Sequence, residues 1–93
     1  MRRIDRTGAF KRDYKRESKG RHQANLDAEL TEALALLMVD APLPARYHDH
    51  PLSGDWKDHR DCYIKPDLIL IYRKPDIECL QLVRLGSHSE LGL

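Results

Sequence analysis

A run of five apolar residues, Leu68–Tyr72, stands out in a chain that is otherwise rich in charged side chains. A strand with one exposed face alternates apolar and polar residues, so an unbroken apolar run predicts a central strand covered on both sides. Turns at residues 65–67 and at Pro75–Asp76 separate this run from its neighbours, residues 56–64 and 79–85. Together the three segments predict an antiparallel meander joined by short turns.

A period of two in residues 56–64 assigns their side chains to two faces of the first meander strand. One face would hold Trp56, Asp58, Arg60, Cys62 and Ile64, and the other Lys57, His59, Asp61 and Tyr63. The two cysteines, Cys62 and Cys79, both fall on predicted strands, which favours reduced core thiols over a disulfide or a metal site. A reduced, cytoplasmic setting is therefore the expectation.

The N-terminal half has the pattern of two helices. Residues 1–6 suit a short or edge strand, and Thr7 can cap a helix that runs to about Gly20. A second helix, predicted from about Arg21 to Val39, carries one apolar stripe: Leu26, Leu30, Ala33, Leu34 and Leu37. The predicted order is β-α-α-β-β-β, an α+β fold in which a helical hairpin packs on one face of a small antiparallel sheet. Residues 1–93 are expected to form a single domain.

Charge is strongly segregated along a chain whose formal net charge is only +1. Residues 1–23 carry nine Lys or Arg against three Asp or Glu, whereas residues 24–55 carry one against six. A basic end attracts polyanions through its local field, although a solvated helix face gives the same pattern. Residues 1–5 do not have the pattern of a signal peptide, and no apolar run is long enough to span a membrane.

Residues 41–55 form a long proline-bounded loop that contains His48 and His50. Their spacing matches no HExxH or CxxC pattern and nothing supplies a second shell, so no metal site or other cofactor is expected. Ser53, Ser87 and Ser89 each have a histidine nearby, but sequence neighbours do not make a catalytic triad. Proton transfer is the more natural use of the histidines.

Metal-independent cleavage of RNA needs a base for the 2′-hydroxyl, an acid for the departing 5′-oxygen and cations for the phosphate. His50 precedes the meander, Asp67 lies at the start of its middle strand, and His88 follows its last strand. In a twisted antiparallel sheet these positions can meet, with Lys57, Arg60 and Arg84 nearby to bind phosphate. Polar residues at strand ends with no chemistry would show the same pattern, and spacing alone does not distinguish the two.

The segment "YHDHPLSGDWKDHRDCYIKPDLILIYR" and the later "RLGSHSEL" resemble a known family. They are similar to the YafQ-like branch of the RelE/ParE superfamily of type II toxins, in which D-H-x-L-x-G-x-W, R-D-x-H, P-D and R-x-G-[ST]-H-x-x-L-F recur. The likeness covers essentially the whole chain, including the N-terminal helices and the proline-rich entry at residues 42–47. The motifs taken together are highly specific.

This resemblance implies a small endoribonuclease, an mRNA interferase, that cuts messenger RNA in the ribosomal A site. A cognate antitoxin would hold it inactive. Matched position by position, the catalytic candidates are His50, Asp61, Tyr63, Asp67 and His88, and Lys57, Arg60 and Arg84 match the family's basic residues. His88 is the favoured general acid, with His50 or Asp67 as the base, although the sequence does not assign these roles.

Two positions differ from the family pattern. Tyr63 stands where the family has the histidine of R-D-x-H, and a phenol is a poor proton carrier at neutral pH. The C-terminal phenylalanine is absent, and losing such a platform removes about 1–3 kcal/mol of base stacking. We therefore expect a working nuclease that is slower than a typical member or altered in codon preference.

The resemblance also explains the basic first helix. A toxin working inside the 70S ribosome must dock on ribosomal RNA, and one group of cations would supply phosphate contacts: Lys11, Arg12, Lys15, Arg16, Lys19 and Arg21. The same surface would attract the acidic, partly disordered arm of an antitoxin.

Two alternatives remain at this point. A ParE-like protein would share the scaffold and inhibit DNA gyrase by binding, but it has no need of the histidines and Asp67. A toxin held by its antitoxin but catalytically weakened would fit Tyr63 and the missing phenylalanine.

Overall fold

The computed structural model describes all 93 residues and has a five-stranded sheet at its centre. The strands are β1 (Arg3–Arg6), β2 (His50–Pro51), β3 (Arg60–Lys65), β4 (Leu68–Arg73) and β5 (Cys79–Gly86), in the spatial order β1-β5-β4-β3-β2. Helices α1 (Gly8–Glu17) and α2 (Leu26–Met38) form a hairpin, and α3 (His88–Leu91) ends the chain. The predicted α+β fold, with its meander β3-β4-β5, is confirmed.

Strand β4 is buried on both faces, as the apolar run predicts. Leu68, Leu70 and Tyr72 join the main core, which the α1–α2 hairpin covers. Ile69 and Ile71 face the opposite side and pack with Leu91 of α3 in a smaller cluster. Both helices of the hairpin therefore lie on one face, and the C-terminal turn of helix covers part of the other.

Strand β1 runs parallel to β5, so the sheet is mixed rather than wholly antiparallel. The two helices carry the chain back before β2 begins, and this leaves β1 beside the last strand instead of the first meander strand. Both edge strands are short: β1 has four residues, three of them charged, and β2 has two residues, one of which is Pro51.

Several predicted boundaries differ from the observed ones. α1 ends at Glu17 and α2 begins at Leu26, because the intervening segment turns and Asn25 takes a left-handed backbone with φ 58°. The first meander strand begins at Arg60, not Trp56, because Gly54–Trp56 is a 3₁₀ turn and Asp58 is also left-handed, with φ 70°. The turn breaks the expected alternation, and Trp56 packs with Tyr63 on the second face rather than with Cys62.

Side chains of α1 occupy the part of the β5 edge that β1 does not reach. Asp13 accepts a hydrogen bond from the Leu85 backbone N–H (3.0 Å), and Arg16 donates one to the Leu85 carbonyl (3.1 Å). Arg16 also lies 3.4 Å from Glu90, whose carboxylate accepts from the Ser87 N–H and so caps α3. The first helix is thereby tied to the short helix that carries His88.

Other features agree with the sequence interpretation. Cys62 and Cys79 are free and buried, and burial raises the pKa of the Cys62 thiol. No helix has the length and apolar character needed to cross a membrane.

Candidate active site

The short strand β2 brings His50 opposite Asp61. The two residues are direct partners in the β2–β3 register, and His50 Nε2 lies 3.0 Å from Asp61 Oδ1. The Asp61 side chain is only 3% exposed, whereas that of His50 is 49% exposed. The contact has the distance of an ion pair but not the alignment of a hydrogen bond, so Asp61 Oδ1 has no aligned donor. Burial raises the pKa of the Asp61 carboxyl, and the nearby His50 opposes this effect.

The other nitrogen of His50 determines where its proton lies. Nδ1 is 2.6 Å from the carbonyl oxygen of His48, and since a carbonyl only accepts, Nδ1 must donate. A neutral ring would then present the Nε2 lone pair to an Asp61 oxygen. Nε2 and the Asp61 carboxylate therefore face each other at contact distance without an aligned hydrogen bond. His50 Nε2 and the Asp61 carboxyl are thus the two groups of this pair that chemistry allows to exchange a proton.

A second histidine–carboxylate group forms where β5 ends. Tyr63 Oη lies 2.7 Å from His88 Nε2, and His88 Nδ1 lies 3.5 Å from Asp67 Oδ1. The hydrogen bond from His88, aided by the Arg21 charge and opposed by slight desolvation, lowers the pKa of Asp67. An ionised Asp67 favours a proton on Nδ1, which directs Nε2 towards Tyr63.

The topology explains why these residues meet. Asp61 and Tyr63 are two apart on β3 and so share the face opposite the helical hairpin. Asp67 sits in the two-residue turn before β4, and His88 begins α3 immediately after β5. His50, Asp61, Tyr63 and His88 line one open cleft, and Trp56 and Leu91 contribute apolar side chains to the same lining.

The three strand cations expected to bind phosphate have different surroundings. Lys57 is exposed and forms no ion pair. Arg60 pairs with Asp49, which also accepts from Tyr72 Oη, on the helix side of the sheet. Arg84 forms a 2.6 Å ion pair with Asp13. Of the three, only Lys57 is free of a protein carboxylate.

The basic residues predicted on the first helix also differ in whether they pair with a carboxylate. Lys11, Arg12, Lys15 and Lys19 are exposed and make no ion pair, as a docking surface requires. Arg16 contacts Asp13, Glu17 and Glu90, and its predicted use as a phosphate ligand competes with these internal contacts. Arg21 pairs with Asp67 of the candidate site at 2.8 Å, a link that sequence spacing did not indicate.

His48 also lies beside the site. It has no counterpart in the family motif, and the sequence alone predicts a surface neighbour of His50. In the structure its ring centroid lies 5.3 Å from that of Tyr63, and its carbonyl accepts the His50 Nδ1 proton. No sequence signal pointed to this contact, because it depends on the 3₁₀ turn Ala45–Tyr47.

Comparisons with known proteins identify the family of the chain. Residues 2–92 match the family model described as the bacterial toxin of type II toxin–antitoxin systems, YafQ. The mRNA interferase toxin YafQ of Escherichia coli K12 is 40% identical over 90 residues, covering 95% of this chain and 92% of the relative. No group of three His, Cys, Asp or Glu side chains here converges as a metal site would require.

Solved structures give the same result. E. coli YafQ in complex with DinJ superposes with a TM-score of 0.82 at 39% identity, covering 98% of each chain. A metal-bound toxin from Helicobacter pylori superposes with a TM-score of 0.85 at 42% identity, covering 98% of this chain and 99% of that one. This chain therefore belongs to the YafQ family of bacterial toxins of type II toxin–antitoxin systems.

Proposed function

We propose that this protein is an mRNA interferase, an endoribonuclease that cleaves messenger RNA in the ribosomal A site without a metal ion. One observation carries the proposal: two histidines, each beside its own carboxylate, line a single open cleft. RNA cleavage through the 2′-hydroxyl needs one group to take a proton and another to give one. The E. coli relative named as an mRNA interferase toxin supports the choice of substrate.

The reaction would run as an in-line transfer at phosphorus. A base removes the 2′-hydroxyl proton, the 2′-oxygen attacks the phosphorus, and the bond to the 5′-oxygen breaks as an acid protonates that oxygen. The products are a 2′,3′-cyclic phosphate and a 5′-hydroxyl; the base ends the step with one more proton and the acid with one fewer. Exposed Lys57 is the strand cation best able to contact the phosphate as charge develops.

The hydrogen-bond pattern favours one assignment of roles. His50 Nε2 faces the Asp61 carboxyl, whose pKa is raised by burial, so we assign the general acid to this pair. His88, oriented by the ionised Asp67, can present Nε2 as the base once Tyr63 Oη turns to the substrate. This assignment is the reverse of the preference drawn from the sequence, where His88 was the acid.

The proposed partners are the 70S ribosome and a cognate antitoxin, and the proposed setting is the cytoplasm. The exposed cations of α1 supply phosphate contacts for ribosomal RNA: Lys11, Arg12, Lys15 and Lys19. An antitoxin with an acidic, partly disordered arm would fit the same surface. The structures of E. coli YafQ with DinJ support a protein partner of this kind.

Cleavage of a defined message on purified ribosomes tests the activity. We expect cuts within the A-site codon, mapped by primer extension, and a rate about 10²-fold lower for His88→Ala. His22→Ala, which changes a histidine outside the cleft, is the matched control. Absence of A-site cleavage by the wild-type protein, with an active E. coli YafQ control, would overturn the proposal.

A modified substrate tests the assignment of acid and base. An RNA whose scissile 5′-oxygen is replaced by sulfur has a leaving group that needs little protonation. His50→Ala should then recover most of its lost rate on this RNA, whereas His88→Ala should not. Recovery by His88→Ala alone would restore His88 as the acid.

A further inference from the structure

His48 is exposed, but its ring is not free of contacts. It ends the 3₁₀ turn Ala45–Tyr47 in a left-handed backbone, with φ 48° and ψ 41°. Its ring lies 5.3 Å from the Tyr63 ring at an interplanar angle of 58°, and Tyr63 in turn lies 5.3 Å from the His88 ring. Three rings therefore form a row that begins outside the cleft and ends at a proposed catalytic group.

A second pocket, of about 630 Å³, lies beside this row. The 3₁₀ turn, α2 and β3 supply its lining residues: Glu29, Glu32, Arg46, Tyr47, His48, Tyr63, Ile64, Lys65 and Pro66. Tyr63 is the only residue that lines both this pocket and the cleft. The pocket and the cleft are therefore neighbours that share Tyr63 as a wall residue.

The charges of the pocket decide which part of a nucleotide fits. Arg46 pairs with Glu32, and Lys65 pairs with Glu29 at 3.1 Å, so both cations are neutralised within the pocket. A phosphate would meet two carboxylates and gain no free cation. An uncharged, flat base would instead meet the rings of His48 and Tyr63.

We propose that this pocket is a stacking subsite for the nucleobase adjacent to the scissile phosphodiester, with His48 and Tyr63 as its aromatic wall. The inference rests on the proposed ribonuclease function and adds the residue that holds the neighbouring base. His48 would supply stacking area in a chain that lacks the family's C-terminal phenylalanine. In this subsite His48 touches substrate but takes no part in proton transfer.

The left-handed backbone at His48 determines which substitutions preserve the turn. Asparagine tolerates the left-handed conformation well, so His48→Asn removes the ring while it preserves the turn and the His48 carbonyl that His50 uses. His48→Phe retains a flat ring and removes both ring nitrogens. Stacking is kept by phenylalanine and lost with asparagine, whereas a proton-transfer or charge role is lost with both.

The test uses 70S ribosomes programmed with an A-site message that carries a 2′-O-methyl group at the cleavage position, so that no cut occurs. 2-Aminopurine, a base whose fluorescence falls on stacking, is placed on either side of the scissile phosphate in turn. Wild-type toxin should quench it at one of the two positions, and His48→Phe should do the same. His48→Asn should quench less and bind the message about tenfold more weakly.

Two results separate this inference from the function on which it rests. If wild-type protein does not cleave the unmodified message, the ribonuclease proposal fails and the subsite fails with it. If the wild type cleaves but His48→Asn matches it in quenching and binding at both positions, only the subsite is overturned. Equal loss in His48→Asn and His48→Phe would also overturn stacking, because the ring alone would then be insufficient.

Discussion

Replacing Asp61 with asparagine should make this protein more stable at neutral pH and less active. The side chain is 3% exposed, and Oδ1 has no aligned hydrogen-bond donor. A buried acceptor without a donor costs about 1–3 kcal/mol, and more when it is charged. The exposed His50 returns part of that cost, so we expect Asp61→Asn to raise the free energy of unfolding by about 1 kcal/mol at pH 7.

The pH dependence of the stability difference shows whether the buried charge of Asp61 is its cause. Burial raises the pKa of Asp61 in the folded state, so folding disfavours its ionised form. The resulting cost is complete well above the folded-state pKa, declines as pH falls through it, and disappears below the unfolded-state value of about 3.9. The stability difference between Asp61→Asn and wild type should therefore be largest near pH 7 and shrink towards pH 4.

Thermal and urea unfolding at pH 7 and pH 4.5 measure this difference, and 1 kcal/mol corresponds to about 4–8 °C in the melting temperature of a domain of this size. Cleavage on ribosomes should fall about 10²-fold, since the substitution removes the carboxyl group of the proposed general-acid pair. Glu78→Gln, which removes an exposed carboxylate distant from the cleft, is the matched control and should change neither. An Asp61→Asn protein that is less stable than wild type at pH 7, or that cleaves normally, would refute this reasoning.

Three further predictions concern other residues. Asp13→Ala should lower stability by about 3 kcal/mol in urea unfolding, because it leaves Arg84 and the Leu85 N–H without their acceptor. Burial opposes ionisation of Asp13, but hydrogen bonds from Arg84 and Leu85 outweigh it and lower its pKa. The stabilising effect should begin to decline below about pH 4 and be lost as pH falls through the lower folded-state pKa. The same pH dependence of stability below pH 4 in the variant and the wild type would contradict this. Tyr63→Phe should slow cleavage about tenfold without loss of stability, since only the hydroxyl bonded to His88 Nε2 is removed, and an unaltered rate would exclude that hydroxyl from the reaction. Changing Lys11, Arg12, Lys15 and Lys19 together to glutamine should weaken ribosome binding and make the affinity depend less on salt concentration. Arg16→Gln should instead mainly lower stability, because Arg16 makes internal ion pairs. If the affinities of the wild type and the fourfold variant depend equally on salt concentration, α1 is not part of the ribosome interface.

The sequence predicted those parts of the fold that local patterns determine. The apolar run Leu68–Tyr72 located the central strand, and the stripe that includes Leu30 and Leu37 located α2. The parallel pairing of β1 with β5 depends on which edge remains free after the helices pack, and no local pattern encodes that choice. Trp56 was placed on the wrong face because the left-handed Asp58 resets the alternation before β3 begins.

For the candidate site, motifs predicted which residues take part but not which of them pair. His50, Asp61 and His88 were named from motifs and line one cleft in the structure, and Asp67, named in the same way, contacts His88. Their pairing was not predictable, because it needs the His50–Asp61 register and the start of α3 at His88. Arg60 and Arg84 illustrate the opposite case, since basic residues in a motif carry no sign of the carboxylates that neutralise them in the fold.

The edges of the sheet bear on how a toxin behaves once its antitoxin is gone. Exposed backbone at a long, flat edge recruits strands from other molecules and leads to aggregates. Here one edge is four residues long and mostly charged, the other is two residues long and contains a proline, and helix side chains cover the free end of β5. Self-association through strand pairing is thereby disfavoured at both sides. A molecule without its proposed antitoxin would therefore remain dispersed in solution.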